Sequence, residues 1–265
     1  MNFRHIMMGA LCGVVSISAA RGAEVCTALA DSGGVPLFQR GDCQRQVTPA
    51  STFKIAISLM GYDSGFLHSE HAPTLPFRAG YVDWRPSWRQ PADPARWMSE
   101  SVVWYSQQVT RSLGTRRFAD YTRRFGYGNA DVSGDAGHDG LTLSWIGSSL
   151  KISPLQQLAF LNRLVNRQLA VSPRAYDMTG RLTAVDKELA GWRLHGKTGA
   201  ADGYGWYVGW ASRGARTVVF AHLLQKDSTQ PQDVPAGVLA REALLAELPR
   251  LLAQASVGWR TAGEQ

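Results

Sequence analysis

The chain has 265 residues and a formal net charge of +7, with 45% hydrophobic and 18% charged residues. That make-up excludes a disordered or wholly membrane-embedded chain, and the length suits one large domain or two small ones. The positive charge does not point to nucleic acid, because arginine is spread along the chain without a run of five or more cations.

The first residues, MNFRHIMMGALCGVVSISAARGAE, place a cation (Arg4) before a short apolar stretch and a small-residue site at Ser18-Ala19-Ala20. This pattern predicts a secretory signal peptide over residues 1–23, too short to span a bilayer, with cleavage between Ala20 and Ala23. The mature chain, 24–265, would then be periplasmic or secreted, with no membrane segment. Cys12 would leave with the leader, so Cys26 and Cys43 remain in an oxidising compartment. They flank two strand-like runs, VCTALA and VPLFQ, joined by the turn DSGG at 31–34. The ends of such a hairpin can carry a disulfide, and two buried free thiols are the alternative.

An apolar helix is expected from about Ser51 to Met60, ended by Gly61 and Gly65. Residues 71–96, rich in Pro, Trp and Arg, predict an irregular segment. Residues 101–125 carry helical spacing with a break at Gly114, and 130–144 read as a Gly- and Asp-rich loop. Ser153 and Pro154 have the form of an N-cap and first helical residue for PLQQLAFLNRLVN. The runs WRLHGKTGA, GYGWYVGWAS and RTVVFAHLL predict three strands, and a helix over about 235–254 follows. Strands at both ends and helices between predict an α+β fold. An antiparallel sheet from both termini would be flanked by helices, with a helical subregion of about 66–180 inserted.

Four short elements carry the chemistry: Ser51-Thr52-Phe53-Lys54, Ser101-Val102-Val103, Tyr127-Gly128-Asn129 and Lys197-Thr198-Gly199. Each alone is a weak signal; the four in this order are a strong one. Ser51 and Lys54 lie on one face of a helix. The helix start offers unpaired N–H groups. A charged ammonium cannot accept a proton, but desolvation lowers a lysine pKa, so an apolar pocket can keep the amine neutral. His138 has no second ligand at metal-binding spacing, and His195 reads as a strand-face residue, so no metal is expected.

With these motifs, and with SWIGSSLKIS, GWYVGW and AREAL around them, the chain resembles the class D serine β-lactamases of the penicillin-recognising superfamily over essentially its whole mature length. A class A enzyme would have SDN in place of SVV and a separate Glu base. A class C enzyme would usually be much longer. The resemblance implies hydrolysis of β-lactams through an acyl-Ser51 intermediate, with no cofactor beyond CO2 or bicarbonate, which would convert Lys54 to an N-carboxylysine general base. It further implies that Val103 forms an apolar wall and that the Trp145 indole holds the carbamate. Ser101 would relay a proton. Lys197 and Thr198 would meet the substrate carboxylate, with Gly199 beside them and Arg241 as a bidentate partner. The N–H groups of Ser51 and Ala200 would form an oxyanion hole, Ala200 standing where relatives often have an aromatic residue. Tyr127 and Asn129 would support the site. Taken alone, Trp145 could equally be core, Ser101 a helix N-cap and Arg241 a surface residue. Penicillin sensors and penicillin-binding transpeptidases share the nucleophile, so acylation without turnover is the alternative function. The oligomeric state stays open, a homodimer included, as does the β-lactam spectrum.

Overall fold

Five strands from the two ends of the chain form one antiparallel sheet, and the helices lie on both faces of it. The computed structural model describes residues 23–262 except Asp202. The leader expected over 1–23 lies outside these residues apart from Ala23, and so does Cys12. In chain order the elements are β1 (Ala23–Asp31), β2 (Pro36–Gly41), α1 (Lys54–Asp63), α2 (Pro94–Glu100), α3 (Val103–Arg124), β3 (Gly134–Asp135), β4 (His138–Asp139) and α4 (Gly140–Leu143). After them come α5 (Pro154–Val165), α6 (Pro173–Thr183), β5 (Arg193–Ala201), β6 (Tyr204–Arg213), β7 (Arg216–Gln225) and α7 (Ala236–Ala262). The sheet order is β2-β1-β7-β6-β5, so the first and last strands of the sequence meet at β1–β7.

This order follows from side-chain burial. Strand β1 is buried continuously from Val25 to Ala30, as a central strand covered on both faces must be. On one face, Leu244, Leu248, Leu251 and Leu252 of α7 pack on Leu194, Tyr207, Val218 and Phe220. On the other face, α1 and α5 cover Ala28, Val208, Val219 and Ala221. Arg40 ties β2 to both layers by paired hydrogen bonds to the carboxylates of Glu24 and Glu247.

Helix α1 differs from the sequence expectation at both ends. Ser51 lies in a preceding 3-10 turn, Ala50–Phe53, and the α-helix proper starts at Lys54. Gly61 does not end the helix. It sits inside it, where a Cβ would come within 2.7 Å of Leu67, and the chain turns at Gly65. Every residue from Lys54 to Tyr62 is buried, so α1 is apolar on all sides because it runs through the core.

Helix α3 carries its break at Gly114 (φ 70°, ψ 164°), and α5 begins with Ser153 and Gln156 in a reciprocal capping box. The segment read as irregular ends in α2, whose N-cap Asp93 accepts from the Arg96 N–H and precedes Pro94. The 130–144 loop holds the short β3–β4 pairing and the single turn α4. Ser172-Pro173 opens α6, which the pattern reading did not identify.

Cys26 and Cys43 form a disulfide, with Cα atoms 5.0 Å apart and both residues buried. They are 17 residues apart, and a cross-link over a loop of that size contributes about 3 kcal/mol through the unfolded chain. Cys26→Ser is therefore expected to lower the unfolding free energy by about that amount in a urea titration, and wild-type protein with a reductant should match it.

Candidate active site

Three contacts set the turn that carries Ser51. The Trp206 indole N–H donates to the Thr48 carbonyl at 3.0 Å, the Ala50 N–H donates to the Trp145 carbonyl at 2.9 Å, and Thr52 Oγ1 donates to the Pro49 carbonyl at 2.7 Å. Ala50 takes φ 49°, a left-handed conformation that costs a non-glycine residue roughly 1–2 kcal/mol. The surrounding contacts hold it there, and the turn that follows points Ser51 into a cleft.

The next turn brings Lys54 under Ser51. Lys54 is fully buried, and its Nζ donates to Ser51 Oγ at 3.0 Å. Burial pushes the amine well below the usual lysine range, and the cations of Lys197 and Arg85 push it the same way. A neutral amine keeps a lone pair and can take the Ser51 proton along that line. Val103 and Trp145 are buried in the same core, and the Trp145 ring packs 5.8 Å from Phe53 and 6.0 Å from Phe118. The Trp145 indole N–H has no acceptor among the described residues. Two neighbours in the same short segment, Ser144 and Ser148, also bury unpartnered hydroxyls. Each of these buried groups can take a further hydrogen-bond partner.

Ser101 and Lys197 meet on the other side of the cleft, where Lys197 Nζ donates to Ser101 Oγ and, at 3.0 Å, to the Thr198 carbonyl. Burial lowers the Lys197 amine to about 7, and the charges of Arg85 and Arg241 add to the shift. Ser101 is not the N-cap of α3. It closes α2 in a left-handed conformation (φ 59°, ψ 35°), and Val102 is the N-cap. That kink between two helices directs the hydroxyl at Lys197 instead of along the helix axis.

Gly199 and Gly128 are required by space. A Cβ on Gly199 would lie 2.8 Å from the Pro49 carbonyl and 3.2 Å from the Thr52 nitrogen, because β5 presses on the Ser51 turn. Gly128 has φ 56°, and a Cβ there would come 1.9 Å from the Lys151 carbonyl. Asn129 then fixes the Trp145-bearing segment: its Nδ2 donates to the Ser149 carbonyl, and its Oδ1 accepts from the Lys151 and Asp131 N–H groups. Tyr127 is buried between Phe53 and Phe160, within reach of Gln157, which in turn donates to Thr52 Oγ1. Burial raises its pKa, so Tyr127 is a neutral wall.

The cleft, about 270 Å³, collects Ser51, Ser101, Val103, Thr198, Gly199, Ala200 and Arg241, all named from the sequence. Lys54, Trp145, Tyr127, Asn129 and Lys197 lie outside its lining. Trp84, Arg85, Trp88 and Ile146 line it too and were not identified from the sequence. The only signal for Trp84, Arg85 and Trp88 was the Trp/Arg cluster WRPSWR, which lies in a stretch without periodicity, while Ile146 lies in the quoted run SWIGSSLKIS. A larger hollow of about 940 Å³ adjoins the cleft through Thr198 and Arg241 but does not reach Ser51. His195 stacks on Trp210 and bonds the Gly180 carbonyl, away from Ser51.

The penicillin-binding protein transpeptidase domain family matches residues 14–244. The chain is 44% identical to β-lactamase OXA-9 of Klebsiella pneumoniae, over 86% of this chain and 88% of that one. It is also 44% identical to the solved structure of the class D β-lactamase OXA-427, with a TM-score of 0.82 over 88% of this chain and all of that one. The chain belongs to the class D β-lactamase family. A further relative, β-lactamase OXA-1 of Escherichia coli, is 34% identical over 77% of this chain and 76% of that one. The α+β fold and antiparallel sheet expected from the sequence are those of this family.

Gly199→Ala should separate β5 from the Ser51 turn without unfolding the sheet. A shift of about 1 Å in a reacting group can cost on the order of 100-fold. Labelling of Ser51 by a serine-directed acylating probe is expected to slow by that order while the far-ultraviolet circular dichroism stays unchanged.

Proposed function

We propose that this chain hydrolyses β-lactams through an acyl-Ser51 intermediate, with Lys54 providing the base. The observation that carries the reading is a fully buried lysine, its charged form disfavoured by burial and by nearby cations, 3.0 Å from a serine hydroxyl in a cleft. Support for a modified Lys54 comes from the buried Trp145 N–H, which has no acceptor among the described residues, and from the burial and neighbouring cations that disfavour a charged Lys54 amine. A neutral amine can add to CO2, and the resulting carbamate supplies a carboxylate-like base that an indole N–H can hold.

In this mechanism Ser51 attacks the lactam carbonyl as its proton leaves toward Lys54. The N–H groups of Ser51 and Ala200 face the developing oxyanion. The lactam C–N bond breaks, and its nitrogen takes a proton from Ser101, which Lys197 replenishes. With its pKa near 7, Lys197 can give and regain a proton at neutral pH. Thr198 and Arg241 hold the carboxylate on the lactam's ring. Water then attacks the ester as its proton leaves toward the Lys54 base, the ester C–O bond breaks, and that base returns a proton to the Ser51 oxygen. The leader over 1–23 would be removed on export to the periplasm, an oxidising location that suits the Cys26–Cys43 disulfide.

A time course with a chromogenic penicillin tests this. Many turnovers per Ser51 are expected, and Ser51→Ala should lose both turnover and covalent labelling; a single stoichiometric burst would instead indicate a penicillin sensor.

Trp145→Phe probes the base. It keeps the ring packing but removes the N–H. A hydrogen bond to a charged group contributes about 1.5–3 kcal/mol, or roughly one to two powers of ten in the carbamate equilibrium. The variant is expected to need that much more bicarbonate for full activity. Its 13C-bicarbonate carbamate resonance should be weaker at equal bicarbonate.

A further inference from the structure

The cleft holds more positive charge than one substrate carboxylate can match. Arg241 belongs to the wall made by β5 and the start of α7, where Gly237 packs directly on Gly199; Lys197 is buried and faces the adjoining hollow. Arg85 belongs to the other wall, made by the segment from Trp84 to Val103. It is exposed and has no carboxylate partner among the described residues. Glu100 lines the same cleft, but both its oxygens are held by Arg96.

Arg85 is also pre-positioned. It opens a 3-10 turn, Pro86–Trp88, that is pinned on every side. Arg89 pairs with Asp83 at 2.8 Å, Arg96 donates to the Ser87 carbonyl at 2.7 Å, and the Trp88 indole donates to the Glu100 carbonyl at 3.1 Å. The Trp104 indole donates to the Trp88 carbonyl at 2.9 Å, and the Arg85 guanidinium rests over the buried Trp88 ring at 5.7 Å. The backbone that carries Arg85 is thus fixed, and its guanidinium has an aromatic face to rest on before an anion arrives.

In a penicillin the ring carboxylate and the acylamino side chain leave the bicyclic nucleus at opposite ends. With the ring carboxylate on Thr198 and Arg241, the side chain extends toward the other wall. We propose that Arg85 is a specificity residue that recognises a second anionic group, a carboxylate or sulfonate, on the acylamino side chain of the substrate. This deepens the β-lactam reading and rests on it. The exposed tryptophan beside it, Trp84, offers an apolar surface to the same side chain.

The test compares benzylpenicillin with its α-carboxy derivative, which differ by one carboxylate. In the wild type, the KM for the dianionic compound should rise more steeply with salt than that for benzylpenicillin. In Arg85→Gln, the ratio of kcat/KM for the dianion over that for benzylpenicillin is expected to fall about tenfold, chiefly through KM, with the extra salt dependence gone. Arg85→Lys should recover part of the ratio. Taking the ratio cancels any effect of Arg85 on Lys54 or Lys197 that both substrates share. An unchanged ratio, or an equal loss on both compounds, overturns the proposal. If the wild type turns over neither compound, hydrolysis fails as a reading, and the same ratio is read from rates of covalent labelling of Ser51.

Discussion

The site depends on a lysine amine buried at the head of a helix that has no polar face. Helix α1 runs through the core, so its first residue cannot reach water, and Lys54 loses the hydration that an ammonium requires. Lys197 and Arg85 add repulsion from the cleft side. A lysine on an amphipathic surface helix would stay charged and would bond Ser51 as a donor only. Burial disfavours the charged form of the amine, whose Nζ lies 3.0 Å from Ser51 Oγ.

Holding that pair in place requires close packing around a strained turn. Ala50 is left-handed, β5 lies against Pro49 and Thr52 with no room for a Cβ at Gly199, and Asn129 clamps the segment whose Trp145 carbonyl receives the Ala50 N–H. These contacts come from distant parts of the chain. The Ser51 turn, the YGN element and the KTG strand thus form one mechanical unit, and their motif glycines reflect distance as much as conformation.

The cleft around this unit is cationic, with Arg241 on one wall and Arg85 on the other, and the acid that lines it is already paired. Such a field favours anionic ligands and disfavours any additional proton on Lys54. The same charges therefore act on both the cleft and the buried amine. The aromatic cluster of Trp84, Trp88, Trp104 and Tyr81 supports one rim of the cleft as a stiff platform.

Much of this was legible in the sequence because it is local. Alternation and turn residues revealed the three C-terminal strands and the N-terminal hairpin, Ser153-Pro154 marked a helix start, and the spacing of Ser51 and Lys54 put both on one helical face. Four short motifs were enough to indicate the family, since each is contiguous in the chain. The tertiary structure alone decided that Ser101 ends a helix in a left-handed kink instead of capping the next one, and that Gly61 lies within α1. It also decided that Arg85 and Trp88, in a stretch without periodicity, line the cleft. The depth of Lys54 was likewise not written at position 54. An apolar helix start can lie at a surface or in a core, and only the packing of α3 and α6 around α1 takes the amine out of water and disfavours its charged form.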